Sequence, residues 1–308
     1  MQIFLGLLEV VLREGFIYGI MAMGVYITYK VLNFPDLSVD GTFPLGCCLA
    51  AELITKGVNP WAACLICLAA GALAGTLTGV LHVKLKITDL MSGILVMTAL
   101  YSVNMVITEK KAVLSIFNMP TIFNSGIGGA VYEKLGQWGW TVMALFVCLV
   151  VKIILDLYLE TRSGLLLRAA GNNPKFVVSI GKDPGNMKIL GLMIGNALTT
   201  LSGCVLAQQR ESADAGSGTG MVVMSLAAVI IGGAALGKAK YIHATTTAVI
   251  GMVVYRACLT IAMQLGLETI YLKALMSILF VIALISSRYS EERREKNVIK
   301  NAESRNNG

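Results

Sequence analysis

Two aspartates flank a serine in the run Asn33-Phe34-Pro35-Asp36-Leu37-Ser38-Val39-Asp40-Gly41-Thr42-Phe43-Pro44, which interrupts two apolar stretches. Two prolines, a glycine and two acids in twelve residues do not make a regular lipid-facing helix. Irregular backbone at membrane depth is stable only against protein or a water-filled cavity. A central aspartate costs at least about 2.5–3.5 kcal/mol on insertion scales. Asp36 and Asp40 are therefore expected near the inner boundary or facing an internal path. One reading is a re-entrant turn whose Asp and Ser side chains cap helices; the other is a polar element of a translocation path, formed by Asp36, Ser38 and Asp40. The two are compatible. Asn104, Gln208 and Gln209 are further candidates for such a path. Glu52 and Arg256 lie within apolar runs and should face protein; Arg256 is expected to snorkel or to pair with Glu52 or Glu268.

Other residue patterns that suggest chemistry fail on context. Cys64-x-x-Cys67 is half of a zinc or redox motif, but it has no second pair and no nearby histidine, so both cysteines read as packing residues. The seven cysteines all lie in or beside apolar runs, and an odd count argues against a disulfide framework. Gly232 to Ala239 approximates a phosphate loop, yet Ala239 replaces the hydroxyl that would hold Mg²⁺ and the run ends an apolar span. No bound nucleotide, metal or other cofactor is expected on this chain. His82 and His243 flank loops with no neighbour that suggests a metal or a catalytic base, and they read as interfacial histidines. No Ser/His/Asp constellation, HExxH or paired acidic catalyst occurs, so the chain does not read as an enzyme.

The elements that must position these residues follow from composition. Of 308 residues, 56% are hydrophobic and only 14% charged, with a mean hydropathy of +0.73; soluble domains average about 25% charged. A disordered chain, a collagen-like protein and an ordinary cytosolic enzyme are excluded. At roughly 20 apolar residues per crossing, the sequence predicts spans near 12–32, 41–56, 61–81, 90–108, 138–158, 187–207, 222–237, 242–263 and 271–287. The expected fold is all-α, a polytopic membrane bundle of about nine (8–10) transmembrane helices, some of them broken. Met1 to Leu12 lacks a basic n-region and a cleavage site; it reads as a retained segment and a candidate further interfacial helix. With the C-terminal tail placed inside, 17 of the 25 Lys and Arg residues collect on the inner side, as the positive-inside rule requires. The net charge of +7 is thus a topology signal, and no basic soluble surface for nucleic acid remains. Gly71, Gly75 and Gly79 share one helix face and should admit a neighbouring helix closely.

The stretch 159–186 is too charged to cross. Asn173 can serve as N-cap with Pro174 at the first helical position. Lys175 to Ile180 continue a short helix, and Gly181 suits a left-handed C-terminal position. Asp183-Pro184 repeats the start signal. Phe176, Val177 and Ile180 supply one greasy face. Such a helix is marginal alone and needs a surface: the bilayer, its own bundle, or a cytosolic partner that grips it. Residues 1–287 read as a single transmembrane domain and 288–308 as a charged, fraying tail.

Three stretches together resemble the permease subunits of bacterial ATP-binding-cassette importers of the branched-chain amino-acid and ribose type. They are Pro35 to Gly41, Leu167-Arg168-Ala169-Ala170-Gly171-Asn172-Asn173-Pro174, and Ser225 to Gly233, in the right order over roughly residues 12 to 285. The runs YITYKVLNFPDLSVDGTFPLG and HVKLKITDLMSGILVMTALYSVN look most like the tryptophan/tyrosine-type amino-acid uptake group. Asp40-Gly41 stands where the sugar permeases have Gly-Ser, which argues against a sugar substrate. The resemblance implies a second permease copy as a homodimer and two cytosolic ATPase subunits that hold ATP and Mg²⁺. It also implies an extracellular substrate-binding lipoprotein, and a multi-pass place in the bacterial cytoplasmic membrane with the C-terminus inside. It implies that Leu167, Arg168, Asn173, Pro174, Lys175, Phe176, Ile180 and Gly181 form the ATPase-coupling element. Rival readings are an ion-gradient-driven secondary transporter and a non-transporting membrane scaffold.

Overall fold

The computed structural model describes residues 2–236, 243–268, 271–272 and 274–285. The phosphate-loop-like residues Gly237 to Ala239, Lys273 and the tail 288–308 lie outside the described residues. Helices dominate: α1 Gln2–Val25, continued by a π-helical stretch Tyr26–Val31; α2 Val39–Thr55; α3 Pro60–Val83; α4 Asp89–Ile107; α5 Ile127–Leu135; α6 Trp138–Glu160; α7 Arg162–Asn172; α8 Pro174–Ser179; α9 Pro184–Arg210; α10 Met221–Leu236; α11 Ala244–Gln264; and α12 Ala274–Ile285. Two short strands, β1 Val113–Ser115 and β2 Ser212–Asp214, pair antiparallel. Among the described residues, six helices are long and apolar enough to cross a membrane: Leu5–Val31, α3, α4, α6, α9 and α11. Shorter helices, α2, α10 and α12, stand where the sequence predicts spans at 41–56, 222–237 and 271–287. Met1 to Leu12 does not form a separate interfacial helix: from Gln2 the chain runs unbroken to Val31. No Gly or Pro occurs between Leu7 and Arg13 to stop it.

α9 is the mast of the bundle. Its 27 residues reach about 40 Å at 1.5 Å per residue, and α1, α2 and α3 all pack on it. Glycines on α2 and α3 make the closest of these contacts, Gly46 of α2 lying against the Thr200 carbonyl of α9. A Cβ on Gly75 would run into the Leu192 carbonyl, one on Gly71 into Asn196 and Thr200, and one on Gly79 into Ile189. On its other faces, α9 sets Gly195 against Gly24 and Thr28 of α1, and Gly203 against the Phe43 carbonyl of α2. Without a hydrophobic drive between helices in lipid, association depends on such backbone approach.

The bundle has two distinct ends. At one, here the α8 end, the π-helical stretch meets α7, and His82 Nε2 of α3 lies 3.3 Å from Lys188 Nζ of α9. There, too, Thr245 at the start of α11 donates to Asp156 of α6. At the other, the β end, lie the β1–β2 pair, α5 and an ionic cluster. Arg256 pairs with Glu14, not with Glu52 or Glu268: Glu52 pairs with Lys56 on its own helix at 2.9 Å. Arg210 joins Glu14 at 3.2 Å and Tyr18 Oη at 3.3 Å. A carboxylate shared by two guanidiniums on different helices offsets a desolvation that one surface partner would not. All seven cysteines are free thiols, six of them buried.

Candidate functional site

The interruption between Val31 and Val39 begins at the α8 end and climbs back into the bundle. Asn33 takes a left-handed conformation (φ 53°), and its Nδ2 donates to the Gly171 carbonyl of α7 at 3.2 Å. Gly171 lies so close to the Val31 carbonyl that a Cβ there would collide with it. Pro35 then carries the chain inward to Asp36, which is only 4% exposed. Asp36 Oδ1 accepts from the Ser38 amide at 2.8 Å and the Ser38 hydroxyl at 2.6 Å. Its Oδ2 accepts from Asn196 Nδ2 at 2.7 Å, and Asn196 Oδ1 accepts from Thr42 Oγ at 2.8 Å. The first turn of α2 is thus fixed to the middle of α9. Asp36 is buried inside the bundle, where Asn196 supplies the partner that lipid cannot. Asn196 escapes the sequence reading; the signal for it is an amide beside Gly195 in a span otherwise made of apolar and small residues.

Asp40 does a different job. Residues 212–220, SADAGSGTG, whose Ser- and Gly-rich composition predicts a flexible outer loop, instead form β2 and then descend to mid-bundle. There Gly218 packs on the Asp40 carbonyl and on Pro44. The Asp40 carboxylate accepts from the Gly220 amide at 3.1 Å and the Val222 amide at 2.8 Å. It caps the N-terminus of α10, satisfying donors with no helical partner and meeting the positive dipole end. Two helices, α2 and α10, therefore begin next to one another inside the bundle. Beside this junction lies a cleft of about 340 Å³ lined by Asp40, Met97, Thr98, Tyr101, Asn104 and Thr219, among others.

The other path candidates divide. Asn104 is fully buried and donates to the Gly41 carbonyl at 3.3 Å; its Oδ1 has no partner among the described residues. Gln208 is not brought to the cleft. Its Oε1 accepts from the Ile122 amide at 3.0 Å, pinning the 109–137 segment to α9. Gln209 is buried on the same turn of α9 and does not line the cleft. Among the described residues, no group of three His, Cys, Asp or Glu side chains could hold a metal.

At the α8 end the insert contains two helices, not one. α7 is capped by Thr161, whose hydroxyl accepts from the Gly164 amide at 3.3 Å, and it buries Leu167 while Arg168 stays exposed. α8 starts at Pro174 with Asn173 Oδ1 accepting from the Phe176 amide at 3.3 Å, and Gly181 follows with φ 72°. The greasy face divides differently from the sequence reading. Val177 is buried, whereas Phe176, Val178 and Ile180 are 53%, 60% and 47% exposed. A two-turn helix resting on α7 and α9 has one inward position per turn, so neighbours on the wheel point outward.

The family described as branched-chain amino acid transport system / permease component matches residues 7–285. The chain is 37% identical to a tyrosine transport system permease protein of Clostridioides difficile strain R20291, over 93% of each chain. It is 27% identical to the ribose import permease protein of Escherichia coli strain K12, over 75% of this chain and 70% of the relative. The ribose import permease protein of Bacillus subtilis strain 168 is 25% identical over 90% of this chain and 83% of the relative. No solved structure matches.

Proposed function

The chain belongs to the branched-chain amino acid transport system / permease component family, and on that premise we propose that it is the membrane subunit of an ATP-binding-cassette importer for an amino acid, aromatic in type. It works as a homodimer with two cytosolic ATPase subunits and an extracellular substrate-binding lipoprotein. The observation that carries this reading is the direct link between the insert and the helix break. α8 presents three apolar side chains outward, and α7 seats Gly171 on Val31 and Asn33. Asn33 leads in three residues to the Asp36–Asn196 joint.

In this mechanism the ATPase grips α8, and closure of the ATPase pair moves α7. The Gly171 contact passes the displacement to the 32–38 break and so to the start of α2. The path runs along the face formed by α2, α4 and residues 215–219, opposite a second copy. Asp40, Thr98 and Tyr101 are costly against lipid and are relieved by a wet, protein-walled passage. The α8 end faces the cytoplasm, supported by Lys30, Lys84, Lys86, Arg162, Lys175 and Lys182 gathering there; the lipoprotein docks at the β end. The aromatic amino acid follows from the tyrosine permease relative and from Asp40-Gly41.

Deleting Pro174 to Ile180 is expected to abolish co-purification of the ATPase while membrane insertion persists. Intact ATPase binding by the deletion variant sinks the coupling role. Transport by the permease alone in proteoliposomes, without ATP, would establish gradient-driven transport instead.

A further inference from the structure

We propose that the cleft beside the α2–α10 junction is a subsite for the protonated amino group of the passing solute, an inference that rests on the importer reading above. Hydrogen-bond accounting within the cleft carries it. Of the side-chain donors that line it, Asn104 Nδ2 is spent on the Gly41 carbonyl at 3.3 Å. The Thr98 hydroxyl is spent on the Ile94 and Leu95 carbonyls at 3.0 and 2.9 Å, and the Thr219 hydroxyl on the Gly216 carbonyl at 3.1 Å. Only the Tyr101 hydroxyl remains. The acceptors are not spent. Asn104 Oδ1 is fully buried and unpartnered among the described residues, a state that is unfavourable until a donor arrives. Flipping the amide would set Oδ1 against the Gly41 carbonyl, two acceptors 3.3 Å apart. Thr98 Oγ keeps its lone pairs, and the Asp40 carboxylate, which faces the amides of Gly220, Met221 and Val222, still has room for a further donor among its four or so lone-pair sites. Asp40 is also the one formally charged side chain lining the cleft. Gly218 and Thr219 of the facing turn have amides without a hydrogen bond among the described residues, but these are uncharged, so Asp40 sets the sign. A cavity with acceptors to fill and a negative charge selects a cationic donor with several N–H groups, which an ammonium is and a sugar hydroxyl or carboxylate is not.

The test uses the full-length permease in lipid nanodiscs, followed by thermal unfolding with tyramine or with 3-(4-hydroxyphenyl)propionate, which share the ring and differ in charge. Tyramine is expected to raise the unfolding temperature and the acid to leave it unchanged. The apparent affinity for tyramine should fall at least tenfold in Asn104→Leu and measurably in Thr98→Val. Thr98 is exposed and its variant is nearly isosteric, so it decides the matter if Asn104→Leu does not fold. Equal stabilisation by both compounds, stabilisation by the acid alone, or an unchanged tyramine response in Thr98→Val overturns the subsite. ATP-driven uptake of L-tyrosine by the complete importer is measured in parallel. Uptake without amine selectivity overturns the subsite alone. Amine selectivity without ATP-dependent uptake overturns the importer reading alone.

Discussion

Asn196 holds two groups from the first turns after the break at once. Its Nδ2 donates to Asp36 at 2.7 Å and its Oδ1 accepts from Thr42 at 2.8 Å, while the Ser38 hydroxyl, whose proton goes to Asp36 at 2.6 Å, lies 3.1 Å from the same Oδ1. Asn196→Leu leaves the Asp36 carboxylate buried with only Ser38 as donor. A buried group stripped of a partner costs about 1–3 kcal/mol, more for a charge. The variant is expected to unfold at clearly lower denaturant in micelles than the parent, while Ser38→Ala, which removes one hydroxyl, gives a smaller shift; equal midpoints for Asn196→Leu and parent refute the assignment. Arg256 gives a second test. Removing one partner of a buried ion pair typically costs about 3–5 kcal/mol. Arg256→Met leaves Glu14 with Arg210 as its remaining partner, so it should destabilise less than Arg256→Met combined with Arg210→Met, which strands the carboxylate beside Tyr18. The same unfolding titration reads the difference. At this scale, the sequence marks Asp36, Asp40, Asn104 and Arg256 as residues needing partners, since an ionisable or amide group in an apolar run is conspicuous. The partners themselves, Asn196 for Asp36 and Glu14 for Arg256, lie 160 and 242 positions away in the chain (196 − 36 and 256 − 14), beyond any local pattern.

Between elements, the glycine seam of α3 on α9 and the single glycine of α7 on the π-helical stretch have different duties. Gly75→Val places two methyl groups where the Leu192 carbonyl already sits. It is expected to lower thermal stability by several degrees, whereas Leu73→Ala on the exposed face of the same helix leaves it nearly unchanged; differential scanning of both proteins in one detergent compares them. Gly171→Val should act on transmission, displacing α7 from Val31 and Asn33. ATPase binding is expected to survive while ATP-driven uptake falls at least tenfold, and normal uptake would break the proposed link. The triple-glycine spacing announces close packing but not its partner. The short α8 is legible from Asn173-Pro174 and Gly181 because caps are local. α7 is not: Gly164 and Gly171 within it and Asn172-Asn173 at its end resemble loop composition. Its stability comes from burying Leu167 and Ala170 against the bundle, which no propensity expresses.

For the molecule as a whole, the decisive surface is the outward side of α8. Phe176→Asp alters a side chain that is already half exposed, so folding and membrane insertion are expected to match the parent. Stimulation of the partner ATPase and its co-purification should drop together; unchanged stimulation removes α8 from the coupling route. The bundle itself is written in composition. With lipid as solvent, each crossing must close its own backbone hydrogen bonds and present apolar side chains, so the helical class of the bundle follows from hydropathy without reference to any neighbour, whereas against about nine expected crossings six helices among the described residues are long and apolar enough to span. Caps and breaks follow in the same local way, from proline, glycine and short polar side chains. The position of those breaks in space is decided only by the tertiary structure. Asp40 caps a helix that begins 181 residues later (221 − 40), Asp36 rests at mid-bundle because α9 brings Asn196 there, and the unpaired oxygen of Asn104 exists only because α2 takes the other half of its amide. Each is a pairing between distant segments, fixed by the register in which whole helices pack, and register is a property of the assembled bundle and not of any window of sequence.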